Sequence, residues 1–102
     1  MHYRNVKDIF NSNMPEGKKA RGDKVLWEEF AKYYSNYEFE YNKDKFKEEF
    51  SNIFKNITGK ELLKNKIYYI KKFDLGYGLS SGEIYTNYWI DTVLPYIFNT
   101  LK

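Results

Sequence analysis

The chain has 102 residues, 42% hydrophobic and 30% charged, the proportions of one folded globular domain over 1–102 and not of a disordered segment. Its 17 Lys+Arg against 14 Asp+Glu leave a net charge of +3, too small an excess to specify a polyanionic partner by itself. The absence of cysteine excludes disulfides, thiolate metal sites and thiol nucleophiles together.

Aromatic residues make up 21% of the chain, with 11 Tyr, 8 Phe and 2 Trp. Each ring buries a large area, so a few of them fill a small core, and tyrosines can straddle core and solvent. Among the cationic residues only Arg4 and Arg21 are arginine. Lysine lacks the forked donors that read base edges or grip phosphate at two points. His2, Arg4, Lys7 and Asp8 interrupt the start where a signal peptide would be apolar, and no apolar run approaches the roughly 20 residues that cross a bilayer. The expectation is a cytoplasmic protein without a membrane partner; its Lys, Asn, Ile and Tyr usage suits an AT-rich bacterial or phage coding sequence.

In chain order, residues 3–10 predict a short helix with Tyr3, Val6, Ile9 and Phe10 on one side. Asn11-Ser12-Asn13 breaks it, and Met14-Pro15-Glu16-Gly17 reads as a turn. The basic segment 18–24, bounded by Gly17 and interrupted by Gly22, reads as an exposed, mobile loop. Arg21-Gly22-Asp23 inside it spells an integrin-type tripeptide, which is taken as chance. Asp23 is placed to cap a helix over 24–35 whose apolar face is Leu26, Trp27, Phe30, Tyr33 and Tyr34. Residues 37–41 alternate ring and carboxylate, the period of a short strand or an extended connector.

The clearest helix covers 43–57, capped by Asn42. Phe46, Phe50, Ile53, Phe54 and Ile57 line one face, and Gly59 lies just past the end. Residues 60–73 carry both signals: Leu63, Ile67 and Ile70 fit a helix, while Ile67-Tyr68-Tyr69-Ile70 is β-branched and aromatic enough for a strand. The strand is preferred, in a hairpin running from 67–73 through the glycine-rich run to 83–85. Such a ribbon needs helices packed on it. The remainder is the longest apolar segment: Trp89, Ile90, Val93, Leu94, Ile97, Phe98 and Leu101 recur at helical spacing after a cap at Thr86 or Asn87. Pro95 falls inside it and predicts a kink, or a restart with Pro95 as the first residue.

These elements predict a mainly α, compact three- to four-helix domain with a short β-hairpin in the second half, an α+β arrangement being the alternative. The glycine run G-x-G-x-x-x-G, Gly76 to Gly82, misses the dinucleotide fingerprint by one residue. It also lacks the Gly-Lys-Ser/Thr of a phosphate loop and is followed by Glu83. It reads as a turn needing positive φ, displaying Tyr77, Ser80 and Ser81. His2 is the only histidine and lies at the chain start, so a Ser-His-Asp arrangement or a zinc site has little material. Carboxylate pairs, Glu38 with Glu40 on one strand face or Asp74 with Glu83 across the hairpin, are the raw material of a metal-dependent hydrolase, the least favoured reading. No cofactor and no metal ligand set is assigned.

The leading expectation is a non-enzymatic protein-interaction module of the inhibitor, immunity or accessory type. It binds a protein partner, or a second copy, through Tyr77, Ser80, Ser81, Tyr85, Tyr88 and Trp89, because Tyr and Trp are the usual interface anchors. The alternative is nucleic-acid binding through Lys18, Lys19, Arg21 and Lys24.

Overall fold

Asn42 starts the longest helix as its side chain predicts: its Oδ1 accepts from the backbone N–H groups of Asp44 and Lys45, both at 3.1 Å. This helix, α3 in the computed structural model, runs Lys43–Thr58 and ends at Gly59, whose φ of 74° is the left-handed conformation that glycine adopts at least cost. The structure describes residues 5–35, 42–74 and 79–101, apart from the side chains of 71–74 and 79–81. Ahead of α3 lie α1 (Val6–Phe10) and α2 (Arg21–Ser35). After it come strands β1 (Ile67–Asp74) and β2 (Leu79–Tyr85), a π-helical segment (Tyr88–Val93) and α4 (Leu94–Thr100). The architecture is therefore mainly α with one antiparallel hairpin. Its Cα radius of gyration, 12.9 Å, is that of a compact chain of this length. The strand expected over 37–41, with the Glu38–Glu40 pair, lies outside the described residues.

Helix α2 departs from expectation at its start. It begins at Arg21, so Asp23 is not the residue before the helix but its third residue. From there its Oδ2 reaches back to accept from the Ala20 N–H at 2.8 Å, the returning half of a capping box. Glycine in a first turn costs about 1 kcal/mol relative to alanine, which is why Gly22 reads as loop. Its reason is tertiary. A Cβ at Gly22 would stand 2.3 Å from the Glu83 carbonyl oxygen, and one at Gly82 would stand 2.6 Å from the Gly22 nitrogen. The backbones of α2 and β2 touch there. Gly22 and Asp23 are buried, so the Arg21-Gly22-Asp23 tripeptide is part of a packed helix.

The hairpin registers Ile67 opposite Tyr85, Tyr68 opposite Ile84, Tyr69 opposite Glu83 and Ile70 opposite Gly82, with a shift between Ile70 and Phe73. Strand alternation turns Ile70 and Ile84 inward, where both are buried, and leaves Ile67 and Tyr69 outward. Strand β2 is longer than expected and takes in Ser80, Ser81 and Gly82, so these are strand positions and not part of a displayed loop. Gly82 serves close approach to α2; its φ is not positive.

At the C-terminal side neither Thr86 nor Asn87 caps by its side chain. The buried Thr86 hydroxyl accepts from the Lys66 N–H and donates to the Lys66 carbonyl, both at 3.0 Å, and Asn87 pairs with Asn65. The irregularity predicted for Pro95 takes the form of a widened turn before it. The Leu94 N–H reaches back five residues to the Trp89 carbonyl, and the backbone stays helical through Val93 and Leu94 into α4, with Pro95, which has no N–H, directly after the wide turn.

The core is a ring cluster drawn from every helix. Phe30 stacks on Phe50 at 4.5 Å between centroids and Phe10 meets Trp27 at 4.5 Å, while Trp89 lies 5.3 Å from Phe30. Each such pair adds about 0.5–1.5 kcal/mol beyond the area it buries.

Candidate functional site

Three segments converge at the open end of the hairpin. The 14–19 segment forms one wall, the Asn65–Ile67 turn and Tyr85 form the second, and the π-helical segment forms the third. Between them lies a cleft of about 410 Å³, lined by Lys18, Lys66, Ile67, Tyr85, Tyr88 and Asp91 among others. That volume is in the usual range for a ligand pocket, and π-helical turns recur at functional sites because the extra residue re-aims side chains. Here the wide turn buries Trp89 and Val93 while Asp91 and Thr92 line the cleft.

Each wall is held by identifiable bonds. The Tyr88 hydroxyl donates to the Pro15 carbonyl at 2.6 Å, and the Lys19 ammonium donates to the same oxygen at 3.3 Å. A Cβ on Gly17 would come within 3.0 Å of Thr92 Oγ1, so this segment packs closely on the π-helical turn and is not the free loop expected of it. On the second wall Asn65, at φ 60°, donates its N–H to Asn87 Oδ1 at 2.8 Å, and Asn87 Nδ2 donates to Asn65 Oδ1 at 2.9 Å. Asparagine tolerates that left-handed conformation better than most residues.

Beneath the cleft sits a buried carboxylate. Asp23 Oδ1 accepts from Trp89 Nε1 at 2.7 Å and from the Tyr85 N–H at 3.2 Å, in addition to the Ala20 bond on Oδ2. Burial pushes its carboxyl above the ordinary aspartate range, opposed by the donors from Ala20, Trp89 and Tyr85. Burial likewise raises the Tyr88 hydroxyl, with the negative charges of Asp23 and Glu16 adding to it. The Glu83 carboxylate raises the Tyr85 hydroxyl, which donates to Glu83 Oε2 at 3.3 Å. Asp23 joins α2, β2 and the π-helical turn; its role is to position them.

The residues expected to bind a partner divide. Trp89 is fully buried against Asp23 and the rings of Phe30 and Phe50, whereas Tyr88, largely buried with its hydroxyl satisfied, still lines the cleft. Tyr85 is half-buried at the edge of the cleft. Ser80 and Ser81 lie in β2, and Tyr77 is outside the described residues. What the sequence reading missed is the outward row of β1. Ile67 is 65% exposed and Tyr69 62% exposed, with Tyr85 opposite Ile67 on the same face. The alternation of Ile67-Tyr68-Tyr69-Ile70 was the available signal, since a ribbon packed on one side must turn every second residue outward.

The four basic residues fall into two settings. Lys18 lies over the Tyr85 ring at 5.6 Å and Lys19 over the Tyr88 ring at 5.6 Å, whereas Arg21 and Lys24 are exposed on the first turn of α2. Asp74 and Glu83 do not meet across the hairpin. Glu83 pairs with Tyr69 and Asp74 with Leu79, positions separated by roughly 15 Å of strand. Among the described residues no three His, Asp or Glu side chains converge as a metal site, and no helix is long and apolar enough to cross a membrane. Comparison with protein-family models, with curated proteins and with solved structures finds no match to this chain.

Proposed function

We propose that this protein is a small non-enzymatic protein-interaction module, working in the cytoplasm, whose binding surface is the outer face of the hairpin together with the adjoining cleft. The observation that supports it is the exposed row of Ile67 and Tyr69 beside Tyr85. Large apolar side chains exposed singly are ordinary, but these are contiguous, two residues apart on one strand and directly across the ladder. They also stand on a stiff platform. The hairpin beneath them is fixed to α2 by the Gly22–Gly82 approach, and Thr86 after β2 is bonded to the Lys66 backbone just before β1. Rigid aromatic anchors lose little freedom on binding, which is what makes them effective at interfaces.

The test is affinity capture from the native source with the whole chain and with an Ile67→Ser/Tyr69→Ser variant, at low and high salt, with and without nuclease. The expected result is a partner retained through both treatments and lost in the variant, whose near-ultraviolet circular dichroism stays unchanged. Recovery that disappears with nuclease would replace this reading by nucleic-acid binding through Lys18, Lys19, Arg21 and Lys24.

A further inference from the structure

The cleft at the end of the exposed row carries a charge pattern that the apolar row does not need. We propose that it docks an acidic peptide segment of the partner: an extended stretch whose inward positions read acidic, apolar, apolar at every second residue. This rests on the interaction-module reading and names the chemistry of the partner.

Lys18 and Lys66, from separate segments, both line the cleft, both exposed and neither in an ion pair among the described residues. Asp91, the acid in the wall, is held by Lys64 at 3.3 Å. With Asp91 paired, Lys18 and Lys66 leave the lining a positive excess, the nearby carboxylates of Glu83 and Glu16 acting on the Tyr85 and Tyr88 hydroxyls. Ile67 and Tyr85 belong both to the cleft wall and to the outward row, which continues to Tyr69. Same-side residues of an extended chain recur about every 6.6–7 Å. An acidic side chain between Lys18 and Lys66 thus sets the next two inward positions over Ile67 and Tyr69.

The same map disfavours a continuous polyanion. Glu83 sits opposite Tyr69 on the outer face and places a negative charge where a second or third phosphate would follow. Among the described residues the walls also offer no guanidinium to grip phosphate at two points. One acid followed by apolar residues fits; a phosphate backbone does not.

The experiment is a ¹⁵N chemical-shift titration of the whole chain with a synthetic peptide of that pattern, its Glu→Lys counterpart, inorganic phosphate and a single-stranded DNA oligonucleotide. The acidic peptide is expected to move the amides of Lys66, Ile67, Asn87 and Thr92. It should bind about tenfold or more tightly than the lysine peptide, and a Lys18→Glu/Lys66→Glu variant should reverse the preference. Both side chains are exposed, so the variant keeps the fold, checked by its circular dichroism. The inference falls if the two peptides bind alike, if neither binds, if the shifts lie elsewhere, or if phosphate or the oligonucleotide moves the same amides more strongly. Equal binding of the two peptides, with partner capture still lost in Ile67→Ser/Tyr69→Ser, would overturn the acidic specificity and leave the interaction surface standing.

Discussion

The Trp89 indole donates to the Asp23 carboxylate at 2.7 Å, joining two buried residues 66 positions apart. Asp23 is the acceptor for three N–H donors, on Ala20, Tyr85 and Trp89, of which the Trp89 donor is buried and the other two are part-buried. Replacing it by alanine orphans them all, and the expected loss is about 3–5 kcal/mol in denaturant unfolding. Trp89→Phe removes only one donor and keeps most of the ring packing, so its loss should be smaller, about 1–3 kcal/mol.

The carboxyl of Asp23 also sets a pH dependence. Its pKa in the folded chain lies above the ordinary aspartate value of 3.8, so between those two values the folded state holds more protons than the unfolded one. The contribution of this group is therefore greatest below 3.8 and is lost as pH rises through the folded value. Asp23→Asn cannot titrate, and its amide turns an N–H toward the Ala20 donor. The stability of the native chain relative to Asp23→Asn should fall as pH is raised through that window and then level off at neutral pH. Urea unfolding of both proteins across acid pH checks the sign; a difference that grows with pH would contradict it.

The glycines separate two kinds of necessity. Gly22→Ala or Gly82→Ala drives a methyl group into backbone that has nowhere to retreat, and each should cost about 3 kcal/mol or prevent folding. Gly59→Ala meets open space and pays only for its left-handed φ, about 1 kcal/mol. Thermal unfolding of the three variants gives the ranking.

Strand β1 offers a paired control for the proposed surface. Ile70→Ala opens a hole in the core and should cost about 2–4 kcal/mol. Ile67→Ala and Tyr69→Ala, on the outward face, should change stability by less than about 0.5 kcal/mol while weakening partner binding. Equal destabilisation by inward and outward substitutions would mean that the row is covered by the protein itself.

The helices were legible because their signals are local. Asn42, the Phe46–Phe50–Ile53–Phe54 stripe and Gly59 specify start, face and end of α3 within one stretch of chain. The hairpin was legible from its β-branched and aromatic run. The start of α2 was not, because Gly22 argues against a helix locally and is required by a strand 60 residues later. The candidate surface was displaced for a similar reason. Trp89 and Tyr88 looked like anchors by residue type, yet the bonds that bury them come from Asp23 and Pro15, and only the folded chain reveals those partners. Lys18 and Lys66, 48 positions apart, share a cleft that no window of sequence contains.

The main-chain contact of Gly22 with Gly82 also bears on how the molecule forms. Helix α2 can coil early, but the surface that accepts its first turn exists only once β2 has paired with β1 and the π-helical turn has supplied Trp89. Closing so long a loop carries an entropic cost that must be met before its contacts form. On the ribosome, the N-terminal half of this chain therefore waits with its rings unsheltered until β2 and Trp89 emerge.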